Sequence, residues 1–235
     1  MKVFAISDLH LSINNSKPMD IFGPVWEGYL DKIVEDWNKK VSEEDIVLLC
    51  GDLSWAMILE DTKLDFEFLN KLPGKKIIIK GNHDYWWSTI SKVRSVLPPN
   101  VFALQNDAIE FDNYVFCGSR GWLLEDNNAF GASDQKIVDR ELIRLEMSLQ
   151  KAHEIKKQNQ KIVCLMHYPP FDKFNQPTAF TKLIEKYGVS IVVYGHLHGK
   201  VPQAKERIIL NDIIYYLTSC DMVKNNLVEI KPIEF

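Results

Sequence analysis

Short apolar runs rich in β-branched residues recur along the chain, and most of them end at a glycine or a polar residue. Five of these runs, residues 3–6, 46–50, 77–79, 162–166 and 191–194, are each followed closely by a side chain of a kind that binds metal ions. Runs of this length and composition are typical of buried β-strands. Because ligands of α/β folds lie at the carboxyl ends of the strands, the pattern predicts that these polar side chains converge on one rim of a sheet.

Apolar residues at helical spacing separate the strand-like runs and predict five helices. The stripes fall within residues 25–37, 64–69, 87–97, 138–152 and 183–187, the first starting at Val25 and the second at Leu64. Gly188 stands where a helix C-cap is expected. Further strand-like segments at 101–117 and 208–230 are too many for one parallel sheet. The sequence therefore predicts an α/β fold, two packed mixed β-sheets flanked by helices, in a single domain over residues 1–235.

The candidate chemistry is concentrated at the strand ends. The side chains there are Asp8, His10, Asp52, Asn82, His83, Asp84, His167, His196 and His198. A lone histidine near a strand end is more often a structural residue than a ligand. Of the six histidines in the chain, however, only His153 lies outside these segments. This concentration favours a metal site over an incidental arrangement.

The types of donor atom limit which metal ions the site can bind. The set contains no thiolate, which argues against a structural cysteine-bound zinc. A mixture of imidazole, carboxylate and amide oxygen suits Mn, Fe, Zn, Co or Ni, and the sequence does not choose among them. The set is too large for one tetrahedral ion but fits two ions that share a carboxylate. Two metals about 3.5–4 Å apart are a common device for attacking phosphate esters.

The order of the segments, D-x-H, G-D, G-N-H-D, H and G-H-x-H between residues 8 and 198, resembles the calcineurin-like metallophosphoesterase superfamily. The resemblance implies the same sandwich fold and a dinuclear centre. It implies that one ion is bound by Asp8, His10 and His198, that the other is bound by Asn82, His167 and His196, and that Asp52 bridges the two. It also implies that His83 protonates the leaving oxygen and that Asp84 orients the His83 ring.

The implied activity is hydrolysis of a phosphodiester or phosphomonoester by attack of a metal-bound hydroxide. Imidazole can hold the proton that the leaving oxygen needs near neutral pH. A nuclease or a nucleotide pyrophosphatase on the same site is the alternative, and a non-catalytic scaffold is a third hypothesis. The protein Ser/Thr phosphatase branch is disfavoured, because the arginine that this branch carries shortly after the second aspartate has no counterpart after Asp52.

The composition of the chain argues against some classes of binding partner. The net charge is −4 and no long Lys/Arg run occurs, which argues against tight binding of nucleic acid without excluding it. A small-molecule phosphate ester is the expected partner. No apolar stretch approaches the ~20 residues of a membrane span, and the four cysteines have no paired spacing, as expected for buried thiols in a reducing cytoplasm. We therefore expect a cytoplasmic protein, and the oligomeric state stays open.

A few other residues stand out. Arg120, flanked by glycines after a predicted strand, either clamps a substrate phosphate or forms an ordinary ion pair. Trp26 is expected in the core, and one of Trp86 and Trp87 is a candidate for the substrate mouth. The loops at 55–61 and 122–134 are expected to set substrate preference.

Overall fold

The computed structural model describes residues 1–13, 17–123 and 130–232, so part of the predicted selectivity loop at 122–134 lies outside the described residues. The described strands are β1 (Val3–Ala5), β2 (Ile46–Leu49), β3 (Lys75–Ile78), β4 (Val101–Ala103), β5 (Ala108–Phe111), β6 (Tyr114–Ser119), β7 (Lys161–Met166), β8 (Val189–Tyr194), β9 (Arg207–Leu210), β10 (Ile213–Leu217) and β11 (Val228–Glu229). The helices are α1 (Tyr29–Lys40), α2 (Lys63–Lys71), α3 (Ile90–Val96), α4 (Ala132–Ile155) and α5 (Ala179–Lys186).

The strands form two mixed sheets. The first has the order β11-β1-β2-β3-β4, in which β1 to β4 are parallel and β11 pairs antiparallel to β1. The second has the order β5-β6-β7-β8-β10-β9, with a parallel centre and antiparallel edge strands β5 and β9. The predicted α/β class with two packed mixed sheets is confirmed.

Alternation along the strands explains the layering. In β1 the side chains of Val3 and Ala5 face a core between the two sheets, whereas Phe4 faces the core under the helices of the first sheet. Successive residues of a strand point to opposite faces, so a fully apolar run supplies both cores at once. Helices α1 to α3 contribute to the outer core of the first sheet, and α4 and α5 to that of the second.

Two details of the helices differ from the sequence-based prediction. The first helix begins at Tyr29 rather than near Val25, because Gly28 adopts a left-handed conformation with φ 59° and separates α1 from a short 3-10 turn that contains Trp26. In α2 the residues that face the core differ in part from those of the predicted apolar stripe. Leu64 is 46% exposed, while Phe66 faces the core.

The predicted burial of the cysteines is confirmed. All four cysteines are free and buried. No helix in the described part of the chain combines the length and the apolar composition needed to cross a membrane.

Candidate metal centre

The ends of β1, β2 and β3 on one sheet and of β7 and β8 on the other meet at one end of the sandwich. A direct link between the two sheets holds them there: Ser7, just after β1, donates its backbone N–H to the carbonyl of Thr218, just after β10, over 2.7 Å. The Ser7 and Thr218 hydroxyls also form a hydrogen bond of 2.8 Å. The polar segments after five strands are therefore brought into one cluster, as the sequence predicted.

The backbone of the cluster is unusual. Asp8, His10, Asp52 and His196 all have positive φ, between 46° and 71°, in a region that non-glycine residues seldom occupy. Backbone hydrogen bonds hold the first two, because Asp8 N–H donates to the carbonyl of Gly51 and His10 N–H donates to that of Asp52. Such conformations cluster at functional sites, where the surrounding structure compensates for their cost.

Two of the glycines in the segments are required sterically. A Cβ added to Gly81 would overlap the backbone and the carboxylate of Asp52, and one added to Gly195 would overlap the carboxylate of Asp8. These close approaches let the two buried carboxylates reach the centre of the cluster.

The first group of potential ligand atoms comes from Asp8, His10 and His198, whose donor atoms all lie within 4.8 Å of one another. His198 Nε2 lies 3.8 Å from Asp8 Oδ1. His198 Nε2 and His10 Nδ1 are buried and, in the ranges that the structure describes, neither has a hydrogen-bond partner.

The second group surrounds Asn82. Its Oδ1 lies 2.7 Å from His167 Nε2 and 3.0 Å from His196 Nδ1. Asp52 stands between the two groups, since its Oδ2 is 3.9 Å from His10 Nε2 and 3.5 Å from His167 Nε2. The donor atoms of Asp8, Asp52 and His167 also fall within 4.8 Å of one another.

Burial governs the titration of this cluster. Burial, opposed in part by the charge of His198, raises the pKa of Asp8 to about 7. Burial and the neighbouring carboxylates of Asp84 and Asp8 raise the pKa of Asp52 to about 8. Burial and the nearby histidines lower the pKa of His10 to about 3 and that of His196 to about 4. Buried carboxyl groups beside neutral imidazoles form an environment that a cation would stabilise.

Two histidines have a hydrogen-bond acceptor behind the ring. His167 Nδ1 lies 2.9 Å from the carbonyl oxygen of Cys50, and when Nδ1 donates to that oxygen the Nε2 lone pair faces Asn82. His198 Nδ1 lies 2.8 Å from Asp221 Oδ1, so its Nε2 faces Asp8. Hydrogen bonding of the far ring nitrogen is characteristic of metal-binding histidines.

Asp221 was not among the sequence-based candidates. It follows the apolar strand β10, as Asp8 follows β1, and this position is the signal that identifies it. Although burial lowers the pKa of His198, the hydrogen bond to Asp221 and the charge of Asp8 outweigh burial and raise that pKa above its usual value.

His83 lies at the edge of the cluster. Its ring centroid is 5.7 Å from that of His10 and 4.9 Å from that of Trp55, which also stacks on His10 at 4.8 Å. Its backbone N–H donates to Asp52 Oδ1 over 2.7 Å. In the sequence, Trp55 stood out only as the start of a loop expected to set substrate preference, because a tryptophan after a strand has no distinguishing local pattern.

The predicted contact between Asp84 and the His83 ring is not present in the described part of the chain. Asp84 is fully buried and accepts hydrogen bonds from the backbone of Leu53, Ser54 and Gly81 and from the indole of Trp86, while His83 Nδ1 has no partner among the described residues. The turn directs the two neighbouring side chains apart. Asp84 therefore organises the loops that carry Asp52 and Asn82.

The structure also shows the contacts of Arg120, Trp86 and Trp87. Arg120 pairs with the buried Glu141 at 3.4 Å and its guanidinium lies 4.6 Å from the ring centre of Trp122, so it takes part in an ion pair, one of the two roles that the sequence left open. Trp86 and Trp87 are both buried, and Trp87 donates to the side chain of Gln105 over 2.8 Å.

The chain is similar to known phosphoesterases. The family model described as calcineurin-like phosphoesterase matches residues 1–200. A probable cyclic nucleotide phosphodiesterase from Coxiella burnetii is 23% identical over 217 residues, which cover 85% of this chain and 76% of that protein.

Solved structures show the same fold at low identity. TT1561 of Thermus thermophilus aligns with a TM-score of 0.59 at 13% identity and covers 97% of each chain. The phosphopantetheinyl hydrolase of Mycobacterium tuberculosis aligns with a TM-score of 0.54 at 13% identity, covering 99% of this chain and 96% of that one. On the match of the family model over most of its length, the chain belongs to the calcineurin-like phosphoesterase family.

Proposed function

We propose that this protein is a dinuclear metal-dependent phosphoesterase that hydrolyses a phosphodiester or phosphomonoester. One observation carries the proposal. Burial holds the pKa of His167 well below its usual value, so the neutral ring has one N–H, yet Nδ1 lies 2.9 Å from the carbonyl oxygen of Cys50 and Nε2 lies 2.7 Å from Asn82 Oδ1. One N–H satisfies only one of these two oxygens, so the other ring nitrogen faces an oxygen with its lone pair. Two lone pairs at that distance repel each other unless a cation lies against both.

The assignment of ligands follows the two groups of donor atoms. One ion would be held by Asp8, His10 and His198 and the other by Asn82, His167 and His196. The position of Asp52 Oδ2, within 4 Å of a histidine from each group, supports its role as the bridge. When bound, the two divalent ions would activate a water molecule and neutralise charge on the phosphoryl oxygens. The donor set suits Mn, Fe or Zn alike.

His83 is proposed as the acid that protonates the leaving oxygen. It is half-buried beside Trp55, and its Nδ1 has no hydrogen-bond partner in the described ranges. Burial and the charges of His198 and Lys17 lower its pKa. A negatively charged ester beside the ring would oppose this shift and favour the protonated imidazole. The relative that is named as a probable phosphodiesterase supports a diester as one substrate class.

The proposal is tested by a screen of mono-, di- and pyrophosphate esters with added Mn²⁺. His153→Ala is a matched control, because His153 is the one histidine outside the cluster and lies exposed on α4. We expect wild type and His153→Ala to hydrolyse the same esters and Asp52→Ala to hydrolyse none at a comparable rate. A wild-type protein that binds the metals but turns over no ester would contradict the proposal and favour the scaffold hypothesis.

A further inference from the structure

A cavity lies beside the proposed metal centre. It has a volume of about 190 Å³ and opens where β3, β4 and β6 end, against one face of α4. Its walls include Lys80, Arg120, Glu141 and Arg144, and none of the proposed metal ligands lines it. The cavity wall and the centre are nevertheless adjacent in the sequence, because Lys80 directly precedes the G-N-H-D segment.

The backbone gives a second connection between the cavity and the centre. The carbonyl oxygen of Arg120 accepts hydrogen bonds from the backbone N–H groups of His167 and Tyr168, over 3.1 and 2.9 Å. The backbone of Arg120, a residue that lines the cavity, is therefore bonded directly to the backbone of the proposed ligand His167.

The cavity wall carries more positive than negative charge. Glu141, which is 1% exposed, pairs with Arg144 at 2.6 Å and with Arg120 at 3.4 Å. One carboxylate can neutralise only one of these two guanidinium groups. Lys80 adds a third cation, and among residues 1–13, 17–123 and 130–232 it forms no ion pair and donates only to the carbonyl of Trp87, at 3.5 Å.

Hydrogen bonding at the wall is also incomplete. Arg120 Nε is buried and has no partner within the described ranges. A buried guanidinium N–H without an acceptor costs free energy, more than a neutral group would. The side chains of Lys80, Arg120 and Arg144 thus offer an excess of charged donors in a space large enough for a small oxyanion.

A purely structural role does not explain this set. An ion pair that holds α4 against the sheet needs one cation for Glu141, and further cations at the same place repel each other. We propose that the cavity binds a second phosphate group of the substrate, whose scissile phosphate lies at the metal centre. This inference rests on the proposed function, because it requires that the metal centre hydrolyses a phosphate ester. It narrows the substrate class to esters that carry two phosphate groups, such as pyrophosphates and phosphorylated nucleotide esters.

The binding step can be tested without the reaction. Inorganic phosphate is titrated calorimetrically into the metal-free protein in the presence of a chelator at constant ionic strength, in wild type, Lys80→Gln, Arg144→Gln and Arg140→Gln. Arg140 lies exposed on α4 and outside the cavity, so it is the matched control. Because a charge-assisted hydrogen bond contributes about 1.5–3 kcal/mol, Lys80→Gln and Arg144→Gln should each weaken binding roughly 10- to 100-fold. Equal affinity in all four proteins, or no binding to wild type, overturns the proposal.

The substrate class is tested with Mn²⁺ and two esters that share a leaving group, thymidine 5′-(p-nitrophenyl phosphate) with and without a 3′-phosphate. We expect kcat/KM to be roughly tenfold or more higher for the 3′-phosphorylated ester. Arg144→Gln should remove this preference, whereas the control Arg140→Gln should keep it. Equal kcat/KM for the two esters overturns the second-phosphate proposal while the proposed function stands. If neither ester is hydrolysed, this pair of substrates counts against the proposed function, and the phosphate titration alone decides whether the cavity binds phosphate.

Discussion

His83 and His198 each have an aspartate nearby, but the two aspartates are used differently. Asp221, 23 residues from His198 in the chain, forms a hydrogen bond of 2.8 Å with the His198 ring. Asp84, the direct neighbour of His83, instead accepts three backbone N–H groups and the Trp86 indole. The difference separates two roles: Asp221 sets the tautomer and charge of a proposed ligand, whereas Asp84 fixes the shape of the loops around the centre.

Among the residues of this comparison, the largest effect is expected at His83. In His83→Ala, turnover of esters with poor leaving groups should fall roughly 10²–10⁴-fold, the usual contribution of a positioned acid. The loss should shrink for nitrophenyl esters, because nitrophenolate leaves without a proton. Steady-state kinetics and elemental analysis check both points. Equal losses for good and poor leaving groups would show that His83 is not the acid, and loss of metal would show that it is a ligand.

The next effect distinguishes the two aspartates. Asp221→Asn should weaken metal affinity roughly 10- to 100-fold, as is typical when the hydrogen bond behind a ligand histidine is altered. Asp84→Asn should leave metal affinity of the folded protein closer to wild type but lower the free energy of unfolding by about 1–3 kcal/mol, because an amide cannot accept all the bonds that the carboxylate accepts. Metal titrations and denaturant unfolding measure these quantities. The reverse pattern would show that the two roles have been exchanged.

A smaller effect is expected from pH on the metal-free protein. Folding raises the pKa of Asp8 to about 7 and of Asp52 to about 8. The folded chain then keeps protons that the unfolded chain has released, so this contribution to stability is present at low pH and is lost as the pH rises. The histidines with lowered pKa values act in the opposite direction, but their effect fades above about pH 7, because their unfolded value is 6.5.

Between about pH 7 and 8, therefore, the melting temperature of the metal-free protein should fall as the pH rises. Bound metal should flatten or reverse this slope, because it favours the ionised carboxylates. Asp52→Asn should reduce the slope in the metal-free protein. A melting temperature that rises with pH in this window would contradict the raised pKa values of the two carboxyl groups.

The smallest effect is expected from the charge of the phosphate group that is hydrolysed. Bis-p-nitrophenyl phosphate should be hydrolysed at least as well as p-nitrophenyl phosphate. A diester carries one negative charge, and no arginine follows Asp52 closely to pair with the second charge of a monoester. The ratio of the two kcat/KM values checks this. A strong monoester preference that persists in Arg120→Ala would refute the charge argument.

The sequence predicted the features that depend on local pattern. Apolar runs of β-branched residues identify the strands of both sheets, and the polar residues that follow them converge because parallel strands end at a common edge. The start of α1 was misplaced because the apolar spacing continues across Gly28, although the backbone there is left-handed. Periodicity reports which side chains are apolar, not where the backbone stops being helical.

The features that the sequence missed depend on contacts between distant residues. Asp221 reaches His198 because β8 and β10 are parallel neighbours in the second sheet, and Trp55 reaches His10 because β1 and β2 are parallel neighbours in the first. Conversely, Asp84 was assigned to the nearest histidine in sequence. Neighbouring residues in a turn often point apart, so proximity in sequence was a poor guide to contact at this position.

The number of metal ions bound at saturation tests the central claim most directly. We predict that wild-type protein titrated with Mn²⁺ binds two ions per chain, and that Asp52→Ala binds fewer, because without a bridging carboxylate two cations at close range repel each other. His153→Ala should bind as wild type does. A wild-type stoichiometry that stays at one or below under saturating metal would contradict the dinuclear centre.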